Sequence, residues 1–178
     1  YEILKIVYDR SDGSRKTMYR LGLLALRLGN IEEAIDYYEE FEQAAPKDPN
    51  RYILKYKILR ARKAPVEQQI EALEEFKKAE YIEKWAYELA VLYGQAQMRD
   101  KCVEACDELI LWFGDGEYVE KALDLKRQYQ PLTASQEEKY KQFREKKGMV
   151  EISIPQTAEP KNVIHEMVKS AENTVTAS

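Results

Sequence analysis

The chain has 178 residues, 34% of them charged and 44% hydrophobic, with a formal net charge of −4 and a pI near 5.3. That balance lacks the dominant basic field a nucleic-acid binder needs, and no apolar run approaches the roughly 20 residues of a membrane span. Seven Gly and six Pro leave long stretches free for helices, and the length suits one domain with a continuous core.

Residues 1–10 place Ile3, Leu4, Val7 and Tyr8 at helical spacing, as the end of a helix whose first part is missing. No signal peptide or lipidation motif is visible, and Tyr1 in place of Met marks a boundary or processing point with which targeting information would have been lost. Ser11-Asp12-Gly13-Ser14 is a turn, with Asp12 or Ser14 as cap for the next helix. Residues 15–29 and 31–45 then form a hairpin. Leu21, Leu24, Ala25 and Leu28 line its first helix, and Gly29 supplies the left-handed exit. Asn30 and Glu33 are spaced as a capping box, Ile31, Ala34, Ile35, Tyr38 and Phe41 form the second apolar stripe, and Pro46 ends it.

Asp48-Pro49 starts a helix through about Lys63, and its partner runs from about Pro65 to Glu80. Ile82 or Glu83 begins the next helix, which ends near Met98, and Asp100 caps the one after it. That helix closes at Trp112-Phe113, before the turn Gly114-Asp115-Gly116. Glu117–Tyr129 is a further helix with Val119, Leu123 and Leu125 apolar, ended by Pro131. Ser135 and Glu138 form a capping box for a short polar helix through about Lys147, suited to cover the last apolar face. From Gly148 the character changes: Met149–Ile154 alternates like an extended segment, Gln156–Pro160 is a linker, and Ile164, Met167, Val168 and Ala171 stripe a short docking helix.

A thin hairpin cannot bury both faces alone, so repetition is expected. Moving on twice by 34 residues takes Leu21 to Leu89, Gly22 to Ala90, Ala25 to Tyr93, Ala34 to Cys102, Tyr38 to Cys106, Phe41 to Leu109 and Pro46 to Gly114. In the middle copy Gly22 falls on Tyr56, and a one-residue shift, placed at Ala64-Pro65, aligns Ile70, Leu73 and Phe76 with Ile35, Tyr38 and Phe41. Leu21-Gly22-x-x-Ala25, Ala34, Tyr38 and Pro46, followed by Leu89-Ala90-x-x-Tyr93, resemble the tetratricopeptide repeat (TPR) pattern over residues 15–116. The resemblance implies an all-α fold: a right-handed solenoid of antiparallel helix hairpins, about three repeats plus flanking helices. The organisation expected is a helix end and turn over 1–14, a solenoid with C-terminal capping helices over 15–147, and a tail over 148–178.

The residues offer little catalytic chemistry. His165 is the single histidine and lies in the tail. Cys102 and Cys106 share one helix, but the equivalent positions Ala34 and Tyr38 face the hairpin core, so both read as buried small residues. Glycine-rich phosphate loops and nucleophile elbows are missing, so no enzyme activity, metal or cofactor is expected. Two thiols without a disulfide framework suit the cytoplasm.

In the TPR family the first helix of each hairpin lines a groove for partner peptides. Carried over by register, that groove resembles Lys16, Tyr19 and Arg27 with Leu23 and Leu26; Asn50, Lys57 and Arg60 with Ile53 and Ala61; Lys84 and Tyr87 with Val91, Gly94 and Gln95; and Tyr118 and Lys121 with Leu125, Gln128 and Tyr129. Six of these twenty positions are basic and four are Tyr, and none is acidic although the chain holds 32 Asp and Glu. A groove so lined attracts a protein or peptide segment carrying carboxylates and apolar side chains. The Asn positions of the carboxylate-clamp TPR proteins are occupied by Leu23, Lys57 and Val91. Two functions stay open: a peptide-binding scaffold, or a self-associating spacer whose tail docks on its own or a neighbouring solenoid.

Overall fold

The computed structural model of the chain describes residues 2, 3, 5, 6 and 14–153. Among these, eight helices follow Ser14: α1 (Arg15–Arg27), α2 (Ile31–Ala44), α3 (Asn50–Ala61), α4 (Val66–Ala79), α5 (Glu83–Gln95), α6 (Arg99–Phe113), α7 (Glu117–Arg127) and α8 (Ala134–Ser153). No strand occurs among the described residues. The chain divides into two compact units, residues 1–140 and 141–178. The first holds α1 to α7 and the start of α8. The described part of the second is the remainder of α8.

Within the first unit, α1 packs on α2, α3 on α4 and α5 on α6, each pair a hairpin, and α2, α4 and α6 each pack on the helix that follows. The stripes read from the sequence are what this packing buries. Leu21, Ala25, Ala34, Phe41, Leu54, Leu73, Phe76, Leu89, Ala90, Leu109, Val119 and Leu123 are all nearly or fully buried. Cys102 and Cys106 belong to the same core as free, fully buried thiols. Burial of this apolar surface stabilises the array by about 25 cal/mol per Å², which a single hairpin with one face in water could not gather.

The 34-residue repetition is clearer in the backbone than in the side chains. Gly29, Lys63 and Gln97, spaced by 34, all adopt positive φ, at 78°, 54° and 61°. After each, a backbone N–H reaches the carbonyl five residues back: Asn30 to Ala25, Ala64 to Leu59 and Met98 to Tyr93, each at 2.9 Å. This is the Schellman ending, which satisfies carbonyls that a helix otherwise leaves orphaned. All three hairpins therefore turn alike, with Gly in only one. The register then slips by one residue, because α4 opens at Val66 after Pro65, as the Ala64-Pro65 insertion requires.

Helix starts depart from expectation. Asn30 does not cap the backbone; its amide points instead at Glu33 Oε2, 3.5 Å away. Asp48 does act at the start of α3, accepting from the Asn50 N–H at 3.0 Å. Asp100 falls inside the first turn of α6, where its charge meets the positive helix end. The capping box of α8 is Thr133–Gln136 rather than Ser135–Glu138. The Gln136 N–H donates to Thr133 Oγ1 at 3.3 Å, and the Thr133 N–H donates to Gln136 Oε1 at 3.1 Å. Lys126 of α7 is 2% exposed. Its ammonium reaches Asp107 Oδ1 at 2.5 Å and Gln136 Oε1 at 3.0 Å, tying α6 and α7 to the start of α8.

Helix α8 runs on to Ser153, so residues 149–153 are helical, not extended. A strand needs a ladder partner, whereas each residue added to a formed helix gains a hydrogen bond without a new nucleus. The expected linker and docking helix from Gln156 onward, His165 included, lie outside the described residues, as do most of residues 1–13.

Candidate functional site

The packing leaves the first helices of the hairpins as one row, α1 beside α3 and α5 beside α7. How closely two of them approach depends on the residue between. At Gly22 a Cβ would stand 2.9 Å from Leu54 Cδ2, so glycine is what lets α3 press its buried Leu54 onto α1. The same register position holds Tyr56 in α3 and Ala90 in α5. Tyr56 is 1% exposed, and the Cα atoms of α3 and α5 stay more than 8 Å apart. Side chains bridge that interval. The Tyr56 hydroxyl donates to Glu88 Oε2 at 2.9 Å, and its ring meets Trp85 edge-on at 6.1 Å.

The basic residues gather around α3, on the side that faces α1. Leu23, Leu26 and Arg27 of α1, with Lys57, Arg60 and Ala61 of α3, line an open groove of about 450 Å³. Its floor is aliphatic and its rim cationic. Lys57 is half-buried there. Its pKa lies below the ordinary lysine value, chiefly from burial, then from the charges of Lys84, Arg60 and Arg27 against the opposing pull of Glu88. Lys57 Nζ stands 5.4 Å above the Trp85 ring and Lys84 Nζ 4.9 Å above it, so α5 contributes a cation and an aromatic face. Arg60 makes a 3.7 Å ion pair with Glu88 but keeps a side chain 65% exposed.

The other expected groove residues fall elsewhere. Tyr87 and Tyr118 form a second cluster with ring centroids 5.9 Å apart. Lys121 lies 5.0 Å over Tyr118 and donates to Glu117 at 2.6 Å. Tyr19 packs on Phe41 at 6.0 Å, and burial raises its hydroxyl pKa. Lys16 is exposed near the start of α1. Asn50 turns back onto Asp48, its amide 3.1 Å from Oδ1, and serves the start of α3.

Two participants escaped the sequence reading, Trp85 and Glu88. The signal for Glu88 was Tyr56 itself: a phenol placed where the repeat calls for a small residue is buried, and a buried hydroxyl requires a partner. Glu88 puts one carboxylate on a wall read as free of acids. Among the described residues, no group of three or more His, Cys, Asp or Glu is placed to hold a metal ion, and no helix is long and apolar enough to cross a membrane.

A row of two-helix units, stacked through alternating helices and exposing one face, defines an all-α helical-repeat protein. Residues 16–48 match the model of the tetratricopeptide repeat family: the first hairpin is a tetratricopeptide repeat, and its turn geometry recurs in the two hairpins that follow. Repeats of this family generally mediate protein–protein interaction. No curated protein matches the chain.

Proposed function

We propose that the protein is a non-catalytic scaffold whose α1–α3–α5 groove captures a partner segment bearing carboxylates and apolar side chains. The observation that carries this reading is the convergence of Arg27, Lys57, Arg60 and Lys84 around the aliphatic floor of Leu23, Leu26 and Ala61, with Trp85 beside it. Half-buried Lys57, already pressed by neighbouring cations, gains most from a ligand carboxylate that relieves the repulsion. Aliphatic side chains of the ligand lie on Leu23 and Leu26, displacing water from apolar surface. Glu88 occupies one side of Arg60 and directs anionic groups toward Lys57 and Lys84. The Tyr87–Tyr118 pair forms a separate aromatic surface between α5 and α7. The buried free thiols suit a reducing compartment, and we place the protein in the cytoplasm.

Lys57→Glu combined with Arg60→Glu tests this. A fluorescein-labelled peptide of alternating Leu and Asp, titrated by anisotropy, is expected to bind the natural chain saturably and the double variant at least tenfold more weakly. Thermal stability is expected to shift by no more than about 1 kcal/mol, because both side chains reach solvent and exposed pairs contribute little. Equal affinity for both chains refutes the groove.

A further inference from the structure

The far end of α6 carries apolar side chains that the core does not use. Leu111 is 85% exposed and Trp112 70% exposed, and Ile82, in the α4–α5 link, is 43% exposed. They are not loose. Tyr81 stacks on Phe113 with centroids 5.3 Å apart and meets the Trp112 ring edge-on at 6.1 Å. The rings brace one another, so the patch is formed before anything binds and little rotamer entropy remains to be lost. Contiguous exposed apolar surface marks interaction sites, and Trp is a favoured anchor at their centres.

The charge around the patch says what kind of partner fits. Residues 102–120 contain six Asp or Glu and no Lys or Arg, and Glu80 and Glu83 flank Tyr81-Ile82 in the link. Glu104 and Glu108 occupy the same exposed side of α6 as Leu111, one and two turns before it. Among the described residues, two cations border the rings and both are already engaged: Lys77 lies 5.4 Å over Tyr81 and is paired with Glu108, and Lys139 donates to the Gly114 carbonyl beside Phe113. We propose that this patch is a second docking surface, taking a partner segment with an aliphatic or aromatic anchor flanked by Lys or Arg. A second copy of this chain fits poorly, since a two-fold contact sets acidic rim against acidic rim. An anionic membrane surface is repelled for the same reason.

The test uses the full chain and three short labelled peptides: an amphipathic Leu/Lys helix, its Leu/Glu counterpart, and a Ser/Lys peptide of equal charge without apolar residues. Anisotropy is expected to show saturable binding of the Leu/Lys peptide and none of the Ser/Lys peptide; the Leu/Glu peptide reports the basic groove, and its binding is expected to fall in the Lys57→Glu, Arg60→Glu chain. Leu111→Ser with Trp112→Ser is expected to weaken Leu/Lys binding roughly tenfold or more. Glu104→Lys with Glu108→Lys is expected to weaken Leu/Lys binding, while Lys57→Gln with Arg60→Gln, which neutralises the basic groove, leaves it unchanged. All substituted positions in the first pair are solvent-facing, and thermal melts verify folding of each variant. Undiminished binding by the Leu111→Ser, Trp112→Ser chain overturns the proposal, as does equal binding of the Ser/Lys peptide. So does a sedimentation mass that rises with concentration and falls back in that variant, which assigns the patch to self-association.

Discussion

The shared turn at Gly29, Lys63 and Gln97 allows one position to be perturbed in opposite directions. At Gly29 a Cβ would meet nothing within 4 Å, so Gly29→Ala changes backbone strain and little else. A left-handed conformation costs a residue with a Cβ about 1–2 kcal/mol. Reduced freedom of the unfolded chain returns about 0.4–1 kcal/mol. The net loss expected is about 1 kcal/mol. Gln97, exposed and at φ 61°, already bears that strain, so Gln97→Gly is expected to stabilise by about 0.5–1 kcal/mol. Urea unfolding followed by circular dichroism resolves this, because 1 kcal/mol moves the midpoint by about 0.5 M at ordinary m-values. Midpoints that move in the same direction for both variants refute the equivalence of the three turns.

Further outcomes follow from close contacts and titrating groups. A Cβ at Gly94 would stand 2.6 Å from the Tyr129 hydroxyl, so Gly94→Ala is expected to cost about 1 kcal/mol net of its gain in helix propensity. In a Tyr129→Phe background the same substitution becomes stabilising; calorimetric melts of the four chains check the reversal. Lys126→Ala removes a buried stem and its bonds to Asp107 and Gln136, with an expected loss of about 2–3 kcal/mol by denaturant titration. Burial and the bond to Glu88 push the Tyr56 hydroxyl up to about 12 from an ordinary 10. The folded state thus favours the protonated phenol, and this stabilisation is whole below pH 10 and lost as pH climbs toward 12. The stability difference between the natural chain and Tyr56→Phe is expected to shrink over that window, and a constant difference contradicts the assignment.

The hairpins were legible because their signals act locally. Helical periodicity, Gly29, Pro46 and the Gly114–Gly116 turn each fix a backbone state within a few residues. The 34-residue period survived in the sequence at Leu21/Leu89 and Gly22/Ala90, while at Lys63 and Gln97 the repeated turn left no residue signature, since each tolerates strain there. Tyr56 read as a failed copy of Gly22, whereas in three dimensions it holds α3 away from α5 and recruits Glu88. Nothing local to residues 84–95 announces that role, because it depends on a packing distance between helices. The helix-start errors have the same origin: Thr133–Gln136 and Ser135–Glu138 satisfy one spacing rule, and contacts to Asp107 and Lys126 from other helices select the first. Of the expected groove, Arg27, Lys57, Arg60 and Lys84 come together, Tyr87, Tyr118 and Lys121 form a separate aromatic cluster, and Asn50 is drawn off by Asp48.

The two tryptophans report on different surfaces, Trp85 beneath Lys57 and Lys84 and Trp112 at the end of α6. The most direct measurement is therefore the pair of indole N–H resonances during titration of the full chain with the alternating Leu/Asp peptide. Occupation of the basic groove shifts the Trp85 signal saturably, leaves Trp112 in place, and fails in the Lys57→Glu, Arg60→Glu chain. A saturable shift confined to Trp112, or a Trp85 shift undiminished by the charge reversal, contradicts recognition at that groove.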